Sequence, residues 1–394
     1  MTKTFIAAIG LAASLSQAAP YLPEQLQLRV AINLGTELGG GSSTFNPRIY
    51  DGNNFVNQIN TPVGFGRYPS GMGSPSIIVN NTSIPLEHRM VAPFRDANRT
   101  RYMMGSGSGA ALTTTFSRYD FDGNNRVDAV NPAGLTAEGF DWVDDNTIIH
   151  TVYTSGNRKR LYLADVVAEP FSMSANTAWN ASGFITTTVT TRIRNVRVGD
   201  LYSGFAYYGD AGQNNNPNFY AINLVTGVEI LLGNAGTLTG TGSFGVWTVL
   251  ERGGYLYVQT TDDGIQVYNM NSATSLGSLY STYTKTGLDT ITGSSGQYFG
   301  LDVTPDGSKL LLGGVGGLIF ELGPPVLGVS QAATDVVVSW PASVNAVVLQ
   351  HSLTLSPPSF TDLNPQPGVS SDGILNTATV PIANTTEFFR LRKQ

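Results

Sequence analysis

Gly139-Phe140-Asp141-Trp142-Val143-Asp144-Asp145-Asn146-Thr147-Ile148-Ile149-His150 and Gly300-Leu301-Asp302-Val303-Thr304-Pro305-Asp306-Gly307-Ser308-Lys309-Leu310-Leu311 are one phrase written twice. In each copy a Gly opens an apolar run, an Asp follows two residues later, a polar turn intervenes and a second apolar run returns. Pro-Asp-Gly between apolar runs is turn chemistry, because Pro presets φ and Gly accepts a positive one. Overlaid position by position, both copies read as β-hairpins. Residues 313–317 then form a second turn and Leu318 to Leu322 a third strand. Looser copies run through Val246-Trp247-Thr248-Val249-Leu250, with the turn Arg252-Gly253-Gly254 before Tyr255-Leu256-Tyr257-Val258, and through Asn195-Val196-Arg197-Val198, turning at Gly199-Asp200 and continuing through Leu201-Tyr202.

A second phrase sets the period. Strands ending on Asp, Asn or Glu recur at Ile49-Tyr50-Asp51-Gly52, Arg118-Tyr119-Asp120, Leu161-Tyr162-Leu163-Ala164-Asp165, Phe219-Tyr220-Ala221-Ile222-Asn223, Ile265-Gln266-Val267-Tyr268-Asn269 and Leu318-Ile319-Phe320-Glu321, in steps of 69, 45, 58, 46 and 52 residues. Short strands and Gly/Asn turns at such a period predict an all-β chain built of β-propeller blades. Six phrases predict six blades, with the 69-residue step one blade plus an insertion; a degenerate N-terminal copy would make seven. The partial alternation of Leu26, Leu28, Val30 and Ile32 marks a strand with one buried face, expected at the outer edge of the last blade, where it leaves no sheet edge between the chain ends. Residues 40–85, rich in Gly, Ser, Asn and Pro, read as long loops over one face.

The first 18 residues read as a secretory signal. Lys3 is the basic region, an apolar stretch runs from Phe5 to Leu15, and Ser16-Gln17-Ala18 is a small-x-small cleavage site. Its removal takes the net charge from −6 to −7. No later stretch reaches 18 apolar residues, so no transmembrane segment is expected in the mature chain. An acidic chain with 13% charged residues is a poor partner for nucleic acid or anionic lipid. The absence of cysteine removes disulfides, thiolate chemistry and thiolate metal sites, and with the short signal favours a bacterial periplasmic, cell-surface or extracellular protein. Residues 19–323 are expected to be the propeller. Gly323-Pro324-Pro325 reads as a linker, and 324–394 as a small fibronectin-like β-sandwich with strand runs at 335–341, 346–350, 377–381 and 387–391.

The sharpest local chemistry is Asp120-Phe121-Asp122-Gly123-Asn124-Asn125-Arg126-Val127-Asp128. Asp120, Asp122, Asn124 and Asp128 place side-chain oxygens at relative positions 1, 3, 5 and 9, and the carbonyl of Arg126 stands at position 7. Calcium, a hard cation wanting six to eight oxygens, suits such a loop, and a structural calcium is the cofactor it implies. Asn125 stands where such loops carry Gly. Asp141 and Asp302, equivalent in the overlaid hairpins, would approach a central channel if their strands are innermost, or otherwise bond within their own hairpins. His88, His150 and His351 are far apart in sequence and form no metal motif. Gly105-Ser106-Gly107-Ser108-Gly109 has neither the spacing of a nucleophile elbow nor the Lys of a phosphate loop. Asn157-Arg158-Lys159-Arg160 reads as a solvated hairpin turn. No catalytic residue is assigned.

Three resemblances rest on these residues. The repeat region, through its Pro-Asp-Gly hairpin and strand-ending Asp/Asn, resembles secreted bacterial β-propellers of the lactonase, TolB-like and NHL-like kind. The 120–128 loop resembles the calcium loops of FG-GAP and integrin-type blades and, more loosely, of dockerins, departing from them at Asn124 and Asn125. The tail, through Trp340-Pro341, Leu349-Gln350-His351-Ser352, Leu353, Leu355, Phe360 and Phe388-Phe389-Arg390-Leu391-Arg392, resembles a C-terminal sandwich module of secreted Gram-negative proteins. These resemblances imply export and an accessory module, and no reaction. The expected function is non-catalytic binding or structure, with the propeller engaging an extracellular polysaccharide, surface layer or protein. Tyr207 and Tyr208, beside the loop 209–217, are candidate sugar-stacking aromatics. The alternative is a propeller hydrolase or lyase, or a calcium-assisted lactonase, with its site at the channel mouth.

Overall fold

The structure is a computed structural model that describes residues 20, 26–33, 44–50, 54–59, 64–68, 77–80, 87–95, 101–108, 114–152, 156–212, 217–239, 244–305, 307–323, 327–332, 335–341, 347–354, 360–371, 375–381 and 387–393. The signal segment, much of 40–85, the linker at 324–325 and Asp306 lie outside them.

The chain is nearly all β, in antiparallel sheets. Its first strand, β1 (Gln27–Asn33), is set aside for the last of six sheets. The first sheet is β2 (Thr44–Tyr50), β3 (Asn54–Ile59), β4 (Gly64–Tyr68) and β5 (Ile77–Asn80). The second is β6 (Glu87–Pro93), β7 (Tyr102–Ser108), β8 (Thr115–Asp120) and β9 (Val127–Val130). The third is β10 (Ala137–Trp142), β11 (Thr147–Val152), β12 (Arg160–Val167) and β13 (Ser172–Ala175), with β14 (Phe184–Thr186) also pairing β12. The fourth is β15 (Val196–Val198), β16 (Phe205–Gly209), β17 (Asn218–Asn223) and β18 (Glu229–Asn234). The fifth is β19 (Val246–Arg252), β20 (Tyr255–Thr260), β21 (Gly264–Ser272) and β22 (Ser275–Thr284). The sixth is β23 (Tyr298–Val303), β24 (Leu310–Gly314) and β25 (Leu318–Gly323), with β1 antiparallel to β25 at its outer edge, as the alternation at 26–32 predicts.

Burial grades across each sheet. The first strands β10, β15 and β23 are buried throughout and β19 nearly so, whereas the fourth strands β9 and β13 are mostly exposed and β18 is half-buried with no fully buried residue. The first strands also touch in order: β2 meets β6, β6 meets β10, β10 meets β15, β15 meets β19, β19 meets β23, and β23 returns to β2. The apolar cores lie between consecutive sheets. Met90, Met104, Phe116 and Phe140 fill the gap between the second and third, and Tyr257, Ile265, Leu301 and Phe320 that between the fifth and sixth. Their edge-to-face rings, such as Phe116 and Phe140 at 5.8 Å, add to the area they remove from water. Hairpin turns follow the glycines: Gly253 and Gly254 take φ of 58° and 82° between β19 and β20, the positive values a two-residue turn needs.

Three readings of the repeat change. The phrase ending at Asp51 lies on β2, a first strand, whereas the other five lie on third strands. Its true counterpart is β4, Gly64–Tyr68, and the long 69-residue step is a misassigned strand rather than an insertion. The overlaid hairpins also slip by one residue past their turns, because Asp141 pairs with Ile149 but Asp302 with Leu311. In the fourth sheet, Leu201 and Tyr202 belong to the turn, and the return strand begins at Phe205.

Residues 328–393 form two further sheets, β26 (Gly328–Ala332), β27 (Asp335–Pro341), β31 (Leu375–Pro381) and β30 (Val369–Ser371) in one, and β29 (Thr361–Asp362), β28 (Val347–Ser352) and β32 (Phe388–Lys393) in the other. They are sandwich-like: Val338, Trp340, Ala378 and Val380 from the first pack with Leu349, Phe389 and Leu391 from the second. No strand pairing joins them to the six earlier sheets among the described residues.

Candidate functional site

Charge gathers where the first strands meet. Asp141 on β10 and Asp302 on β23 both point into this region, each two residues after a glycine. Asp141 pairs with Arg48 of β2 and, at 3.4 Å, with Arg197 of β15. Asp302 receives Arg197 Nη2 at 2.9 Å and Arg252 Nη2 at 3.1 Å. Arg252 Nη1 reaches Asp200 Oδ1 at 3.5 Å, the one half-exposed member of the set. The order Arg48, Asp141, Arg197, Asp302, Arg252, Asp200 alternates in sign throughout.

The backbone completes it. Asp141 Oδ2 accepts the N–H of Val198 at 2.9 Å, and Asp302 Oδ2 that of Ile49 at 2.8 Å. Val198 follows Arg197 and Ile49 follows Arg48, so the two contacts are equivalent. The glycines are equivalent too: a Cβ on Gly139 would meet Arg194 O at 2.8 Å and Asn195 Cα at 3.1 Å, and one on Gly300 would meet Asn46 N at 2.6 Å and Asn46 Cα at 2.7 Å. Gly300 also has φ 90°. Gly-x-Asp in the third and sixth sheets therefore answers Asn-x-Arg (Asn46-Pro47-Arg48 and Asn195-Val196-Arg197) in the first and fourth. The glycine lets two backbones approach and the aspartate bonds across the contact. Asn195 Nδ2 donates to Asn46 Oδ1 at 3.1 Å and to Thr248 Oγ1 at 3.2 Å, and Trp247 Nε1 donates to Asn46 Oδ1 at 3.2 Å, tying three first-strand regions together.

Burial disfavours the charged form of Asp302, but the guanidiniums of Arg197, Arg252 and Arg48 outweigh it and bring the carboxyl down to about 2. The same opposition, with Arg48 and Arg197 prevailing, holds Asp141 below the usual carboxylate range. Burial and the neighbouring Arg48 lower Arg197 to about 10, with Asp302 and Asp141 resisting, so it stays charged at neutral pH. Beside the network, Arg194 pairs with buried Glu138 and lies 5.0 Å from the Trp247 ring centre. Glu251 accepts the N–H groups of Asp200, Leu201, Tyr202 and Gly254; burial raises its pKa against those bonds. Both aspartates thus stand at the centre, saturated by cations and amides, and neither is confined to its own hairpin.

The 120–128 loop is a tight turn between β8 and β9, with Gly123 at φ 85° and Asn125 at φ 50°. Asp120 Oδ2 accepts from Asn125 Nδ2 at 2.6 Å, and Asp122 Oδ1 from Asn124 N at 3.2 Å. Asp128 takes Arg126 Nε at 2.7 Å, Arg126 Nη2 at 2.9 Å and the Ser117 hydroxyl at 2.7 Å. Arg126 thus brings a cation as well as the carbonyl read from the sequence. No group of three or more acidic, His or Cys side chains suited to a metal occurs among the described residues. A shallow surface cleft is lined by Asp120, Phe121 and Asp122 with Arg101 and Tyr102.

Tyr207 and Tyr208 do not present rings to a sugar. Both are fully buried core residues, with hydroxyls donating to Ala273 O at 3.1 Å and Glu229 Oε1 at 2.5 Å; residues 213–216 of the neighbouring loop lie outside the described set. His150 is buried, stacked 5.3 Å from Tyr162, and burial lowers its pKa to about 4. His351 pairs with Glu387 in the tail. The Ser106 hydroxyl is buried and donates to Glu138 O at 2.9 Å. Compared with known protein families and with curated proteins, the chain matches no family model and no individual protein.

Proposed function

We propose that the six sheets are blades of a β-propeller covering residues 19–323, carrying the sandwich-like module of 324–394, and that the protein is a secreted, non-catalytic binding or structural component. Support for the propeller comes from the circuit of contacts among first strands, the graded burial across each sheet and β1 completing the sixth sheet. The observation that carries the functional reading is the state of the centre. Propeller enzymes need unengaged acids, bases or metal ligands where the blades converge; here Asp141 and Asp302 are bound by three arginines and four backbone amides. A carboxylate held far below neutral pH by buried cations is a weak base and has no proton to give. Such a centre locks blades together and leaves recognition to the surface loops, with an extracellular polysaccharide or protein as the expected partner.

The test applies the purified chain to glycan arrays and immobilised surface polysaccharides, with lactones, esters and glycosides assayed in parallel. Saturable binding without turnover is expected. Turnover of any of these substrates that disappears in Asp302→Asn would overturn the reading and put the chemistry at the centre.

A further inference from the structure

The connection from β6 to β7 carries an arginine at each end, and each arginine lines a separate surface cleft. Arg95, just after β6, lines one with Val143, Asp144, Asp145, Asn146 and Ser203. Arg101, just before β7, lines the other with Tyr102, Asp120, Phe121 and Asp122. Both clefts lie at one end of the sheets, because the turns that build them touch. Arg95 Nη1 donates to Trp142 O at 3.1 Å and to Val143 O at 3.2 Å, where β10 turns to β11. The Phe121 N–H donates to Arg101 O at 2.7 Å, and Arg101 Nη2 reaches Glu169 Oε2 at 3.3 Å, where β12 turns to β13. The clefts hold about 550 Å³ and 480 Å³. Both volumes fall within the ~300–1,000 Å³ of small-ligand sites.

Their linings match. Each has one arginine, two aspartates from a turn, and an apolar side chain, Val143 in one and Phe121 in the other. Several of these groups are already held. Asp144 Oδ1 accepts the N–H of Asn146 at 2.8 Å, and Asp122 Oδ1 that of Asn124 at 3.2 Å. Arg101 lies 5.0 Å from the Tyr102 ring centre and donates to its hydroxyl at 3.1 Å. Side chains ordered beforehand lose less freedom when a ligand arrives. A guanidinium only donates and a carboxylate only accepts, so a ligand that suits both must donate and accept at neighbouring atoms. Adjacent sugar hydroxyls do this. An anion would face two carboxylates in each cleft, and a cation would face the arginine. A protein partner would need a larger apolar pocket for its anchoring side chains than one Val or one Phe provides.

We infer that the two clefts are like subsites for an uncharged, hydroxyl-rich glycan. The inference rests on the binding reading above and gives it a place and a ligand class. Because both subsites open at the same end of the sheets, a long polysaccharide can engage both and gain by avidity.

The full chain is run by affinity electrophoresis, in chelator, through gels containing mannan, dextran or laminarin, with alginate and chitosan as the charged counterparts. Retardation by at least one neutral polysaccharide, and by neither charged one, is expected. Asp145→Ala in the first cleft and Asp122→Asn in the second should each weaken that binding by about tenfold, as loss of a charge-assisted hydrogen bond does. Together they should weaken it further, and Asp362→Asn in the tail should leave it unchanged. Ser203→Trp and Asp122→Trp fill the clefts without relying on the lost carboxylates, and should reproduce the loss if either first variant fails to fold. Neutral-glycan binding that survives in the variants of either cleft would overturn the inference while leaving the binding reading intact. Retardation by a charged polysaccharide alone, or only with added calcium, would overturn the ligand class. No retardation by any polysaccharide would overturn the inference and also remove polysaccharide as the partner, leaving protein as the ligand to seek.

Discussion

Asp302 and Asp128 both face arginines, in opposite settings. The Asp302 side chain is 1% exposed and joins Arg197, Arg252 and the Ile49 amide, bringing the sixth, fourth, fifth and first sheets together. The Asp128 side chain is 42% exposed and bonds to Arg126, two residues away, and to Ser117 on the adjacent strand. The chemistry is shared and its reach is not. Where water is excluded, a carboxylate–guanidinium contact becomes obligatory, because losing one partner strands the other; where water remains, each partner can be hydrated instead. Ion pairs in this molecule therefore matter by location rather than by number.

Removing the buried partner should give the largest effect. Asp302→Ala leaves Arg197 and Arg252 sharing too little negative charge and the Ile49 amide without its acceptor, and is expected to cost about 3–5 kcal/mol in denaturant unfolding. A loss below about 1 kcal/mol would erase the contrast between centre and loop.

Next comes a pH effect of similar origin. His150 is buried and neutral, and its folded pKa of about 4 lies below the ordinary value of 6.5. Between those values the unfolded chain binds the proton more readily. The His150 contribution is therefore complete above pH 6.5, falls as the pH drops, and is fully lost below about 4. The shift corresponds to roughly 3 kcal/mol. Unfolding free energy measured from pH 7 to 4 should slope accordingly, and His150→Phe should flatten that slope. An unchanged slope would locate the titration elsewhere. Asp302 and Asp141, whose pKa values are also lowered, keep their stabilisation above the ordinary carboxylate pKa and lose it only in stronger acid.

A methyl group at the centre probes close approach rather than charge. Gly300→Ala sets a Cβ against the Asn46 backbone at a positive φ, and a loss of about 1–3 kcal/mol is expected. Gly316→Ala, also at positive φ but with open space around it, should cost less and so separates backbone strain from steric contact.

The loop should give the smallest change. Asp128→Asn is expected to cost at most about 1 kcal/mol, and less in high salt. Calcium must displace Arg126 from Asp128 to use that carboxylate, so melting with calcium or chelator should differ by less than ~2 °C in the natural chain and by more in Arg126→Ala. A large calcium response in the natural chain would make the loop the stronger fastener and reverse the comparison.

Much of this architecture was legible because repeated turns and alternating strands are local properties. The Gly-x-Asp phrase, the N-terminal strand and the tail strands can all be read from neighbouring residues. The first sheet was misread because β4, Gly64–Tyr68, ends on a tyrosine without the acidic mark, whereas Asp51 supplied that mark on the wrong strand. The central aspartates stood out as a pair, but their partners did not. Arg48 and Arg197 lie 93 and 56 residues from Asp141, and only the strand circuit brings them together. The doubled Asn-x-Arg at 46–48 and 195–197 was the available signal. Tyr207 and Tyr208 show the converse error, since aromatic residues beside a polar loop belonged to a strand buried on both faces.

The pairing of β1 with β25 also sets a schedule. A ribosome makes residues 27–33 near the start of the chain and residues 318–323 nearly three hundred residues later. Among the described residues, the sixth sheet alone of the six joins strands distant in sequence, so its completion must await residues 318–323 and a long loop closure. Until then β25 offers an open edge, and a nascent or partly unfolded chain is most exposed to capture by a neighbour's strand at the seam where β1 and β25 are destined to meet.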